Sequence, residues 1–219
     1  MAARFKTVHW VWLCALGLIY AVLTAAQWSL AYIDFGDGNY IYIGWRIAAG
    51  DIPYRDILAP QPPVHLYLGA LIYRIADLVG LDQPLYAFRA VSILIHLASF
   101  ALVGALARRA WGRPATAVAA GAIFLWLPIG YRWAQGWQSE PLEILWLLAM
   151  MLAALRGTKG GDMAAGLFAA LAALTNATAA PILLVLIVYM AIRAPRRAAT
   201  MAVPCVGLAA AAVVFMEWW

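Results

Sequence analysis

Charge is scarce in this sequence. Only 11% of its 219 residues are Asp, Glu, Lys or Arg, against about 25% in an ordinary soluble domain. That scarcity excludes a water-soluble fold. With 66% of residues hydrophobic, a chain of this length carries more apolar surface than one core can hide, whereas lipid tails accept it freely. Cysteine is scarce too. Cys14 and Cys205 both lie in apolar runs, which excludes a disulfide framework or a thiolate metal site and leaves them as small core residues. Neither His65 nor His96 has a metal-ligand spacing. The net charge of +5 does not point to nucleic acid, because the basic residues stand in short clusters between apolar runs. That is the pattern of membrane topology, and it predicts an all-α integral membrane protein.

A helix needs roughly 20 apolar residues to cross a hydrocarbon core of about 30 Å. Predicted spans cover residues 9–33, 86–106, 115–130, 141–155, 164–176, 178–193 and 199–219, in a single module over residues 1–219. The first follows Arg4 and Lys6 and is too long for the apolar part of a signal peptide, so it reads as an uncleaved span. The run from Ala164 to Ile192 is too long for one helix and is split at Thr175-Asn176-Ala177-Thr178 and Pro181. About seven spans place all four basic clusters (Arg4/Lys6, Arg108/Arg109/Arg113, Arg156/Lys159, Arg193/Arg196/Arg197) on one face. By the excess of basic residues in cytoplasmic loops, that face and the N-terminus are cytoplasmic. One more apolar stretch, residues 64–80, would reverse the 108–113 cluster if it crossed, and it carries Arg74 and Asp77. It is therefore expected to be re-entrant or interfacial, within an outer loop over residues 34–85. Of the ten acidic residues only Asp162 then falls on the cytoplasmic face. The Ala- and Arg-rich composition suggests a bacterial inner membrane.

The outer loop concentrates the chemistry. Residues 34–63 hold Asp34, Asp37, Asp51 and Asp56 beside Arg46 and Arg55. Asp37-Gly38-Asn39 reads as a helix start, with the helix running to Ala49 and stopped by Gly50. Tyr40, Tyr42 and Trp45 suit the headgroup level of a helix lying on the membrane. Pro53, Pro60, Pro62 and Pro63 stiffen the route back.

Taken in order, these residues resemble the GT-C membrane glycosyltransferases, the superfamily of the protein O-mannosyltransferases and lipid A aminoarabinose transferases. The pattern is an aspartate after the first span (Asp37), then Tyr40, Gly50, Pro53-Tyr54-Arg55-Asp56 and Pro62-Pro63. It continues with Arg89, Arg108-Arg109 and Glu140. The resemblance implies transfer of a sugar from a polyprenyl-phosphate donor to an acceptor hydroxyl of a protein, lipid or glycan on the outer face, with inversion. An aspartate would take the hydroxyl proton, and cationic side chains or a divalent metal would neutralise the leaving phosphate. This chain departs from the family at Gln61, where several relatives carry an acid, and at Asn176, where many have a lysine. Ending at residue 219, it matches the N-terminal module, and the family's C-terminal part is expected to be absent.

Each candidate has a plainer reading. Asp37 is the expected base and also a favoured helix cap; Asp34 is the alternative base. Asp56 pairs most simply with Arg55. Glu140 and Glu143 open the fourth span, where acids suit a helix N-terminus, yet carboxylates within membranes mark function by default. Arg89, Arg132, Arg46 and Arg55 could each meet the donor phosphate or reach toward lipid headgroups, with Arg89 favoured. Arg74 and Asp77 are expected to pair, His65 to face the site, and His96 to pack in the core. Trp133 and Trp137 could stack on a sugar. Asn176-Ala177-Thr178 matches a glycosylation pattern but sits too near the bilayer to be used. A transporter or flippase remains an alternative because the break near Asn176 and Pro181 resembles a discontinuous helix; no inverted repeat accompanies it. A non-catalytic subunit of the same fold is the third reading.

Overall fold

A computed structural model describes residues 2–27, 35–127 and 136–218, with side chains at 9–27, 38–127 and 136–216. The described residues form α-helices joined by turns and, before α3, a longer loop: α1 (Ala2–Ala26), α2 (Phe35–Ala48), α3 (Pro63–Leu78), α4 (Leu85–Trp111), α5 (Pro114–Trp126), α6 (Ser139–Ala154), α7 (Lys159–Ala173), α8 (Ala179–Arg193) and α9 (Pro195–Trp218). The chain is an all-α membrane protein. His9–Ala26, Leu85–Trp111 and Pro195–Met216 are each long and apolar enough to cross a bilayer, and Pro114–Trp126 and Ala179–Arg193 are shorter apolar helices.

Local chemistry sets the helix ends. Proline opens α3 and α5, where its missing N–H costs nothing. α4 stops because Gly112 turns to φ 68° and donates to the Arg108 carbonyl, with Arg108 and Arg109 over the negative end of the helix. Thr158 caps α7 by accepting from the Gly161 N–H.

Helix α7 packs between α6 and α9, while α4 bridges α6 to α5 and α1; α2 lies on α3, and α3 on α4. Two of these contacts are backbone on backbone. A Cβ on Gly166 would stand 1.9 Å from the Met201 carbonyl oxygen of α9, and one on Gly44 of α2 would stand 2.9 Å from the Gly69 carbonyl carbon of α3.

Polar contacts gather at opposite ends of the bundle. At one end Arg109 bonds the Leu155 carbonyl, and Arg197 bonds the Ala154 carbonyl and grips Asp162 with two nitrogens. At the other, the Val64 N–H donates to Leu174 and the Tyr67 ring meets Phe215. Asp162 is 4% exposed, and its carboxylate oxygens are held by Arg197. An Arg197→Met chain should lose roughly 2–3 kcal/mol, less than for a fully buried pair because Arg197 is partly exposed. Adding Asp162→Asn should restore most of that in thermal melts of the detergent-solubilised protein. No recovery would show that the pair is not what holds this end together.

Two expected contacts are corrected. Arg74 does not pair with Asp77; it donates to the Ala48 carbonyl at 3.3 Å, since the free carbonyls ending α2 attract a cation. Cys14 is exposed instead of packed in the core.

Candidate active site

The end of the bundle that carries α2 and α3 is built from segments far apart in sequence. The loop before α3 is fixed by a relay. Tyr54 holds φ 70°, a strained value for a bulky residue. Its hydroxyl donates to the Gln61 carbonyl at 2.6 Å, and the Gln61 amide donates to the Tyr40 hydroxyl at 2.9 Å. Burial, with Tyr67 nearby, pushes the Tyr54 phenol up to about 12, so it stays a donor. Gln61 thus positions Tyr40. Gly50 ends the turn after α2 at φ 110°, a conformation open to glycine.

Tyr40 turns inward, unlike its exposed neighbours Tyr42 and Trp45. Its ring meets His65 edge-on at 4.8 Å, and His65 stacks on Trp137 at 4.6 Å. His65 is fully buried, a layer beneath Tyr40, and neither of its ring nitrogens has a hydrogen-bond partner among the described residues. Burial holds its pKa down at about 3, so the ring is neutral at physiological pH. Trp137, expected as a possible sugar platform, is 1% exposed and is covered by His65 and Phe88.

From Trp137 the chain enters α6. Ser92 of α4 donates to the Gly136 carbonyl at 2.8 Å, and Arg89, one turn earlier on α4, is 1% exposed. Ser139 accepts from the Asn176 amide at 3.1 Å, and Asn176 in turn accepts from the Thr178 N–H. The Thr178 hydroxyl donates to Glu143 at 2.7 Å. Glu143 is buried and Glu140, one turn before it, is half-exposed beside Ser139. The turn between α7 and α8 therefore anchors the carboxylate-bearing start of α6.

Of the other expected residues, Arg55 pairs with Asp56 on the surface, and that guanidinium, helped by the Ile52 N–H, holds the Asp56 carboxyl below its usual range. Arg46 is engaged by Asp51 and Tyr42. His96 packs between Tyr20 and Phe124 as expected of a core residue. The backbone of Asp37 lies in the first turn of α2, two residues after the helix begins and one turn before Tyr40. Asp34, Arg132 and Trp133 lie outside the described residues. Among the described residues no three His, Cys, Asp or Glu side chains converge as a metal site. The links through Thr178, Ser139, Ser92 and Gln61 were missed from sequence; the available signal was isolated polar residues at the ends of apolar runs.

Residues 60–219 match the model of the family described as dolichyl-phosphate-mannose-protein mannosyltransferase. The chain belongs to that family. It is a glycosyltransferase of mannosyltransferase type by family, and it is membrane-embedded by composition. No curated protein and no solved structure matches it. The part matching the mannosyltransferase family includes His65, Arg89, Arg132 and Glu140, whereas Asp34, Asp37, Tyr40 and Arg55 precede it.

Proposed function

We propose that this chain passes a sugar, of mannose type, from a polyprenyl-phosphate donor to an acceptor hydroxyl at the α2–α3 end of the bundle, on the outer face of the membrane. The observation that carries the reading is the family match over residues 60–219. The geometry supports it by gathering Glu140 and the start of α2 at one end of the bundle, with Arg89 and Glu143 buried behind them. The acceptor oxygen attacks the anomeric carbon and gives its proton to Asp37, with Asp34 the alternative. The bond from that carbon to the phosphate oxygen breaks with inversion, and the phosphate leaves with the electron pair. Arg89 serves the donor phosphate and Glu140 orients the acceptor, while Tyr40 and His65 position α2 against α3. In this reading α1 and α4 to α9 cross the membrane, α2 and α3 lie at the outer boundary, and the N-terminus is cytoplasmic.

The break between α7 and α8 lies at the same end as Val64, not midway along the bundle, which favours an enzyme over a transporter with a central broken helix. The test is conversion of a radiolabelled polyprenyl-phosphate mannose in membranes carrying the chain, with accessibility of the product to added glycosidase showing the face. Labelled product on the outer face is the expected result. Donor left intact by well-folded protein would exclude catalysis by this chain alone.

A further inference from the structure

A groove of about 450 Å³ runs between α1, α4 and α5, at the opposite end of the molecule from the proposed chemistry. Its walls include Cys14, Leu18, Leu97 and Ala101, and its polar side chains of note are His9 and Arg108; no carboxylate lines it. The size falls within the range of about 300–1,000 Å³ typical of ligand sites. The groove opens sideways: Leu18 is 66% exposed, on a helix apolar enough to span a bilayer, so acyl chains face it directly. Arg108 is exposed and forms no ion pair among the described residues.

We propose that this groove holds one anionic phospholipid, with its headgroup phosphate on Arg108 and an acyl chain along α1 and α4. Three features favour that occupant. The groove is apolar along its length and basic at one end, the complement of an amphiphile with a negative head. It opens on the lipid-facing side, where phospholipid is the solvent. It also cannot serve the sugar donor. Arg108 lies 19 residues beyond Arg89 on one continuous helix, which is ~28 Å at 1.5 Å per residue. That is about a full hydrocarbon thickness, so a phosphate at Arg108 sits in the opposite leaflet from one at Arg89.

The test is native mass spectrometry of the full chain in detergent, titrated with phosphatidylglycerol or phosphatidylcholine of identical acyl chains. Phosphatidylglycerol should be retained about fivefold more strongly, the effect of one basic side chain at an anionic surface. Arg108→Gln should remove that preference. Ala101→Phe, or Ala105→Phe should the first variant misfold, should reduce retention of both lipids by filling the groove. In a Cys205→Ser background, phosphatidylglycerol should also slow maleimide labelling of Cys14. Equal retention of the two lipids, a preference that survives Arg108→Gln, or retention that survives a filled groove would each overturn the proposal. Displacement of the lipid by polyprenyl phosphate, or occupation of the groove by a second copy of the chain, would overturn it as well.

Discussion

An Asp37→Asn chain is expected to lose sugar transfer by about 10²–10⁴-fold, the usual contribution of a positioned general base. Asparagine keeps the shape of aspartate, and Asp37 lies inside the first turn of α2 and not at its cap, so α2 should form and the relay from Tyr54 to Tyr40 should persist. What disappears is the basic oxygen that accepts the hydroxyl proton. The loss should therefore fall on kcat. Retention of the labelled donor in membranes should stay close to wild type, because the phosphate is assigned to Arg89 at a different point of the site. An Arg89→Gln chain should show the opposite split, with weaker donor retention. Transfer unchanged in Asp37→Asn would move the base to Asp34. Parallel loss of transfer and donor retention would make Asp37 a structural residue of α2.

The second large effect is structural. Gly166→Ala should destabilise the protein by roughly 3–5 kcal/mol, beyond the usual cost of overpacking, because the obstacle is a backbone oxygen. The added methyl would stand 1.9 Å from the Met201 carbonyl, so α7 and α9 must separate along their shared face. Gly160, on the same helix, has open space around the equivalent position. Gly160→Ala should be neutral, or should stabilise by up to about 1 kcal/mol through helix propensity. Melting temperatures of the two variants in one detergent decide the matter. Equal stabilities would mean that the two helices are not in backbone contact in the membrane protein.

These contrasts indicate what the sequence made legible. The apolar runs and their basic ends exposed the all-α membrane class, because lipid imposes one solution on the backbone, and composition reports it directly. The ordered set of Asp37, Pro62-Pro63, Arg89 and Glu140 indicated the glycosyltransferase family, which the match over residues 60–219 bears out. Partners distant in the chain were not legible. Asp162 and Arg197, and Glu143 and Thr178, are each 35 residues apart, and no local periodicity joins them. The inward turn of Tyr40 was hidden for another reason. Most of α2 is apolar, so the pattern alone could not say which face packs on α3 and which meets headgroups. Arg74 illustrates the same limit, since a nearby aspartate on its own helix looked the natural partner, and a carbonyl 26 residues away won.

The contact between Gly44 and Gly69 carries a mechanical consequence. Where two helices touch through bare backbone, sliding one past the other brings a full side chain against the place a hydrogen occupied. Ile41 or Ala48, one turn to either side of Gly44, would then meet α3 where there is no room for a Cβ. The α2–α3 pair is thus locked in a single register, which fixes Tyr40 of α2 against His65 of α3.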